Sequence, residues 1–258
     1  GKGYGIFFTC LLYLTIGPFF AAPRTATVAY EIAVAQYLPP EMRSMGLYVF
    51  AAVFFIITWW LAISPSKLVA RVGKFMTPVL LVFLFLLIIS AIASPMGSWQ
   101  APAAAYDTGV KALGQGIVDG YNTMDGLAAL VFGIIVVESV KMYGAVSEAQ
   151  ITKDTLRSGL ISTFFMAVIY AALCYIGASS VSLIGVQENG APVLVKTALH
   201  YFGAAGGGIL GVIVIFACLT TSVGLAASCA AYFNLLLPKI SSKTFVTVMV
   251  VVCFFVAL

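Results

Sequence analysis

The chain has 258 residues, of which 62% are apolar and only 9% are Asp, Glu, Lys or Arg, and its mean hydropathy is +1.09. A soluble domain is about 45–50% apolar and about 25% charged, so this chain lacks the polar surface to cover one; it is neither disordered nor a secreted disulfide scaffold, and the bilayer is its solvent. The net charge of +4 comes from basic residues scattered between apolar runs, not from a basic patch, so no nucleic-acid partner is expected.

A spanning helix needs about 20 mostly apolar residues. Read in chain order, the apolar runs predict an all-α polytopic membrane helix bundle: one transmembrane domain over residues 1–258. Its spans lie at about 3–22, 46–64, 75–93, 116–137, 158–177 and 208–237, with a truncated last span at 244–258. The second ends in Trp59-Trp60, which suits an interfacial aromatic belt. The fourth is unusual. Residues 127–137 are apolar but too few to span, so the helix must take in residues 116–126, with Asp119, Tyr121, Asn122, Asp125 and three glycines, Gly116, Gly120 and Gly126. A polar, glycine-rich half is the signature of a discontinuous membrane helix. Residues 178–205 form a long connection whose stretch 191–202 reads as a short surface helix carrying His200, the single histidine. Gly1 in place of Met, and an apolar run that continues to Leu258 without a cleavage pattern, are what an internal piece of a longer membrane protein is expected to show.

If the first span starts in the cytoplasm, then Lys2, Lys67, Arg71, Lys74, Lys141, Lys153, Arg157, Lys239 and Lys243 fall inside. Only Arg43, Lys111 and Lys196 fall outside, and Arg24 lies within a span. That bias places the chain as a multi-pass protein of the cytoplasmic membrane. The five cysteines, Cys10, Cys174, Cys218, Cys229 and Cys253, sit inside apolar runs without C-x-x-C pairing. They read as small buried apolar residues, and no cofactor is expected.

Polar groups at membrane depth are costly and mark function by default. Three clusters stand out. In Gly120-Tyr121-Asn122-Thr123-Met124-Asp125, glycines permit the chain to leave helical geometry; freed carbonyls suit cations and freed amides suit carboxylates, so a zwitterionic ligand fits. Alternatively, Asp119 and Asp125 cap a short helix. In the sixth span, Ala217, Thr220, Thr221 and Ser222 bring a carbonyl and hydroxyls together, and the three- and four-residue spacing places Ala217, Thr220 and Thr221 on one helix face. These oxygens suit Na⁺, or they bond back to the preceding turn and serve packing. The third cluster holds Pro18 and Pro23, which kink or end the first helix, and Arg24 with Glu31, two turns apart, which could reach each other or other helices; a structural ion pair is expected rather than direct substrate contact. The spacings Gly116/Gly120, Gly203/Gly207 and Gly207/Gly211 mark close helix approach.

These blocks carry a resemblance. Gly17-Pro18-x-x-Ala21-x-Pro23-Arg24-Thr25-Ala26-Thr27-Val28-x-x-Glu31 resembles the signature of the branched-chain amino acid:cation symporters, the LIVCS family. So do Asp119-Gly120-Tyr121-x-Thr123-Met124-Asp125 running on to Leu130-Val131-Phe132-Gly133-Ile134, and Ala217-Cys218-Leu219-Thr220-Thr221-Ser222-Val223-Gly224-Leu225 with Cys229-Ala230. The resemblance covers essentially the whole chain. It implies the LeuT-like inverted-repeat fold of the amino acid–polyamine–organocation (APC) superfamily, with the first two and the last helices of the same polypeptide missing here. The fourth span would be the family's broken sixth helix. The sixth span would be its eighth helix, whose hydroxyls help form a sodium site in related transporters; Ala217, Thr220 and Thr221 match that pattern, and Ser222 enters if the register shifts by one.

The resemblance thus implies secondary active symport of Leu, Ile and Val with Na⁺ (or H⁺) and no enzymatic activity. Gly120, Tyr121, Asn122, Thr123, Met124 and Asp125 would meet the substrate, with Met124 and Phe132 near its side chain. The partners implied are a small-molecule amino acid, membrane lipid and the missing helices, without which this segment is not expected to transport. Another amino acid or a nucleobase stays open as substrate. A channel lacks a repeated pore motif here. An intramembrane aspartyl enzyme would more naturally draw its dyad from two facing helices than from Asp119 and Asp125 on one stretch.

Overall fold

A computed structural model describes residues 1–63, 67–187 and 189–258 of the chain, without the side chains of Lys2, residues 67–73 and Met76. Ser64, the expected end of the second span, lies outside the described residues, as do the side chains of Lys2, Lys67 and Arg71, on which the expected orientation partly rests.

All regular structure among the described residues is helical. In chain order the helices are α1 (Lys2–Leu14), α2 (Ala21–Ala33), α3 (Arg43–Ile63), α4 (Lys67–Ala93), α5 (Gly109–Asn122), α6 (Asp125–Met142), α7 (Glu148–Ile184), α8 (Gly190–Leu236) and α9 (Ser242–Val256). Among the described residues, five helical stretches are long and apolar enough to cross a membrane: Gly3–Tyr37, Pro40–Ile63, Gly109–Met142, Glu148–Ile184 and Gly190–Leu236. The molecule is a polytopic membrane helix bundle.

Local chemistry sets the helix ends. The hydroxyls of Ser147 and Ser241 and the Asn189 side chain accept from Gln150 N, Thr244 N and Ala191 N at the starts of α7, α9 and α8. These caps satisfy first-turn amides that have no helical partner. Gly185 ends α7 at φ +69 and ψ 175, an extended positive-φ backbone that is essentially confined to glycine.

The chain divides into two compact units, Gly1–Ser94 with Val186–Leu258, and Pro95–Gly185. In the first, α2 packs along α8, with α3, α4 and α9 around them. The α2–α8 approach depends on small residues: a Cβ on Gly211 would lie 3.0 Å from Ala33 Cα, a close backbone approach of the kind membrane helices use. Tyr13 stacks on Tyr232 with ring centroids 4.4 Å apart. Trp59 Nε1 donates to Thr247 Oγ1 at 2.9 Å and joins α3 to α9.

Two breaks interrupt the long helices of this unit. Between α1 and α2 the chain takes a π-helical turn over Thr15–Phe19, with Gly17 at ψ −106. Pro18 has no N–H to donate to the preceding turn, and Phe20 N closes the wider ring to Thr15 O at 3.2 Å. Pro23 falls in the first turn of α2, where a missing N–H costs nothing. The helix therefore continues past both prolines to Ala33, beyond the expected limit at residue 22. In α8 the second break is Gly203, at φ 62 and ψ −160. The expected surface stretch 191–202 is the first part of α8, ahead of that break.

In the second unit, α6 packs on α7, and α5 is reached by the turn Ala104–Tyr106. Most apolar side chains here are exposed, Leu130, Leu160 and Phe164 among them, whereas Val131 and Ile176 are buried.

Candidate functional site

The polar half of the fourth expected span lies in the second unit as two helices with a sharp break. Helix α5 starts at Thr108, whose hydroxyl accepts from Lys111 N, and runs through Gly116 and Gly120 to Asn122. Thr123 keeps near-helical angles, and Met124 turns left-handed at φ 62 and ψ 13. It is the one non-glycine residue with positive φ among those described. This conformation costs an L-residue roughly 1–2 kcal/mol, so the surrounding contacts must hold it. The break thus differs from the glycine-driven unwinding expected over residues 116–126. The glycines stay helical, a Cβ on Gly116 or Gly120 would meet nothing within 4 Å, and two residues carry the reversal.

Hydrogen bonds fix this geometry. Met124 N donates to Tyr121 O at 3.0 Å, and Ala128 N to Met124 O at 2.9 Å, so residues 125–127 precede the hydrogen-bonded ladder of α6 and leave orphan amides. Thr123 Oγ1 lies 2.7 Å from Gly120 O and 2.8 Å from Asp125 Oδ2. Tyr170 of α7 donates to the same Oδ2 at 2.5 Å. Asp125 occupies the first turn of α6, where the positive end of the helix favours a carboxylate.

Asp119 is held separately. Gln115 Nε2 donates to its Oδ1 at 2.9 Å and the Tyr106 hydroxyl to its Oδ2. That bond, donated to a carboxylate, holds the Tyr106 phenol above its ordinary pKa. Tyr121 is exposed and Asn122 ends α5. Amides at one helix start, carbonyls at another helix end and a carboxylate between them can together meet both charges of a zwitterion.

The hydroxyl cluster lies in the first unit, on α8. Thr220 Oγ1 and Thr221 Oγ1 both donate to Ala217 O, each at 2.9 Å. Both hydroxyl protons are spent on one carbonyl, so the three oxygens sit on one face and the hydroxyl oxygens keep lone pairs to offer a cation. Thr220 is half-buried, Thr221 exposed and Ser222 buried. Among the described residues no group of three or more His, Cys, Asp or Glu could hold a metal ion; what this stretch itself offers a cation is neutral oxygen.

Of the third cluster, Pro18 is buried in the π-helical turn and Pro23 in the first turn of α2. Among the described residues neither Arg24 nor Glu31 is in an ion pair. The one ion pair among the described residues is Lys111–Asp107 at 3.0 Å, an exposed pair of small worth. Glu31 instead lines a cleft of about 740 Å³ with Arg43, Lys196, Tyr30, Gln36 and Gln187. His200 is exposed, its ring edge-on to Tyr201.

Sequence reasoning missed Tyr170, Tyr106 and Gln115. Tyr170 had a signal: it follows the apolar run Phe164-Phe165-Met166-Ala167-Val168-Ile169, and a phenol at membrane depth needs a partner for its O–H. Which partner it takes depends on tertiary packing 45 residues away.

A family model described as branched-chain amino acid transport protein matches residues 1–258. The branched-chain amino acid permease BrnQ of Bacillus subtilis (strain 168) is 43% identical over 246 residues, covering 95% of this chain and 56% of that protein. The permease BraB of the same organism is 40% identical over 245 residues, covering 95% and 55%. The permease BrnQ of Lactobacillus delbrueckii subsp. lactis is 40% identical over 237 residues, covering 92% and 53%. These relatives are named as permeases, not enzymes, and the chain spans about half of their length. No solved structure matches. With its residues 1–258 all matched by the family model, this multi-pass membrane chain belongs to the branched-chain amino acid transport protein (LIVCS) family.

Proposed function

We propose that the full-length polypeptide is a secondary carrier of the cytoplasmic membrane that moves Leu, Ile and Val together with Na⁺. The observation that carries this reading is the helix break at Thr123–Met124, with orphan amides, a helix-end carbonyl face and the tethered Asp125 carboxylate side by side. Backbone that leaves helical geometry at membrane depth must be buried in protein or line a watery cavity, and the charges offered there complement a zwitterion. The names of the relatives support an aliphatic substrate. Gly120, Tyr121, Asn122, Thr123, Met124 and Asp125 hold the amino acid in this account. The hydroxyl oxygens of Thr220, Thr221 and Ser222 contribute to the cation site, completed by oxygens from other helices, and Ala217 O joins them when the two threonine hydroxyls that now donate to it turn away. The fold proposed is the LeuT-like inverted repeat, which alternates access by rocking one bundle against another. Bound cation favours the substrate-competent state, and that differential affinity is the coupling. Discrimination among Leu, Ile and Val is weak, because one methylene is worth only about 1–3 kcal/mol.

The test is leucine uptake into proteoliposomes holding the full-length polypeptide. An inward Na⁺ gradient should drive accumulation, and Thr220→Ala or Thr221→Ala should raise the Na⁺ concentration needed for half-maximal uptake by about tenfold, the loss of roughly one charge-assisted contact of about 1.5 kcal/mol. Uptake that is undiminished when choline replaces Na⁺ would sink Na⁺ coupling, and a response to the proton gradient alone would assign the coupling to H⁺.

A further inference from the structure

The two hydroxyls that meet Asp125 converge on one oxygen. Tyr170 donates to Oδ2 from α7 at 2.5 Å, and Thr123 Oγ1 lies 2.8 Å from that same atom and 2.7 Å from Gly120 O. Among the described residues no side chain hydrogen-bonds to Oδ1. The carboxylate is half-buried, sits at the first position of α6, and follows the left-handed Met124. A carboxylate has about four lone-pair positions shared between two oxygens and turns about its last side-chain bond. The Tyr170 hydroxyl, from a separate helix, ties that oxygen, and the Thr123 hydroxyl shares its single proton between it and Gly120 O; together they restrict that freedom and leave the other oxygen facing away from both hydroxyls. A compact ammonium with three donors is the natural partner for that second oxygen, because the bond is charge-assisted and the neighbouring α5 carbonyls can take its remaining protons.

We propose that Tyr170 is a positioning residue for substrate binding: its hydroxyl, together with Thr123, holds Asp125 Oδ2 so that Oδ1 is presented to the ammonium group of a zwitterionic amino acid. This assignment rests on the reading of residues 120–125 as the substrate site. Tyr170 does not touch the substrate in this account; it acts through Asp125, and it makes the affinity of the break depend on where α7 sits.

The test is kinetic, on the full-length polypeptide in proteoliposomes. Tyr170→Phe keeps the ring and removes only the hydroxyl. The KM for leucine should rise about tenfold while the maximal rate stays within about twofold, because a loosened carboxylate weakens binding without altering the later steps. Thr123→Val should move KM in the same direction, and because Thr123 is itself a site residue the decisive variant is Tyr170→Phe. Asp125→Asn should impair binding more strongly, and in an Asp125→Ala background, which leaves Tyr170 no oxygen to hold, adding Tyr170→Phe should change KM no further. If Asp125→Asn is impaired but Tyr170→Phe leaves KM unchanged, the role given to Tyr170 is wrong and the site reading stands. A Tyr170→Phe effect of equal size in both backgrounds also overturns the proposal, because it marks a merely structural contribution. Normal leucine binding by Asp125→Asn overturns the site reading itself, and the proposal with it.

Discussion

Gly17 shows how much a single absent methyl group sets in this bundle. A Cβ built there would lie 2.7 Å from Cys229 Sγ and 3.2 Å from Met249 Cε. Cys229 is buried, with its thiol against Tyr13 O at 3.5 Å, so the sulfur fills the space that Gly17 leaves where the helix widens into its π turn. Overpacking a tight site costs about 1–3 kcal/mol. Gly17→Ala is therefore expected to lower the thermal midpoint of the purified protein in detergent. Gly17→Ala with Cys229→Ala should recover most of the loss, because the second change removes the clashing atom; a double variant as unstable as the single one would show that the sulfur is not the obstacle. Gly17 and Pro18 were legible as a helix disturbance from proline chemistry alone. That the disturbance is a π turn seated on a cysteine of α8 was not, because that depends on a partner more than two hundred residues away in sequence.

At the level of the helix, the breaks in α8 and between α5 and α6 come from different chemistry. Gly203 holds φ 62 and ψ −160, a region essentially confined to glycine, and a Cβ there would meet nothing within 4 Å. The cost of substitution is thus in the backbone alone. Gly203→Ala should destabilise the protein by about 1–3 kcal/mol, whereas Gly208→Ala, in the regular helix with open space around it, should be neutral or stabilising by up to about 1 kcal/mol. Equal melting temperatures for the two variants would mean that the backbone at Gly203 does not adopt this conformation. The break also has local consequences: Phe202 packs on Phe83 at 5.7 Å and Tyr201 donates to Ser94 O, contacts that a straight α8 would carry away. The α5–α6 break has no glycine at its pivot. Residues 116–126 could be recognised as an odd half-span from their polarity, but three glycines drew attention away from Met124. Local propensity disfavours Met in a left-handed conformation, and the Thr123 and Tyr170 hydroxyls on Asp125 hold that turn.

For the whole molecule, composition was enough to read a membrane-embedded chain, since 9% charged residues cannot clothe a soluble surface, and apolar runs of about 20 residues were enough to read it as helical. Family membership was legible because its motifs are dense in Gly, Pro and hydroxyl residues whose spacing has few other uses. What the sequence could not supply was the assignment of those motifs to units: the break of residues 120–125 belongs to one compact unit and the Ala217–Ser222 hydroxyls to the other. It could not supply the cross-helix contacts either, because Tyr170 and Cys229 find their partners only once the helices are packed. The central claim is that the α5–α6 break holds the substrate, and protection of that break by substrate tests it most directly. In the full-length polypeptide with its native cysteines replaced, Asn122→Cys is labelled with a maleimide, and Gln150→Cys at the exposed start of α7 serves as the reference. Leucine in the presence of Na⁺ should slow labelling at position 122 severalfold and leave position 150 unchanged. Equal labelling rates at position 122 with and without saturating leucine, in protein that still takes up leucine, would contradict the account.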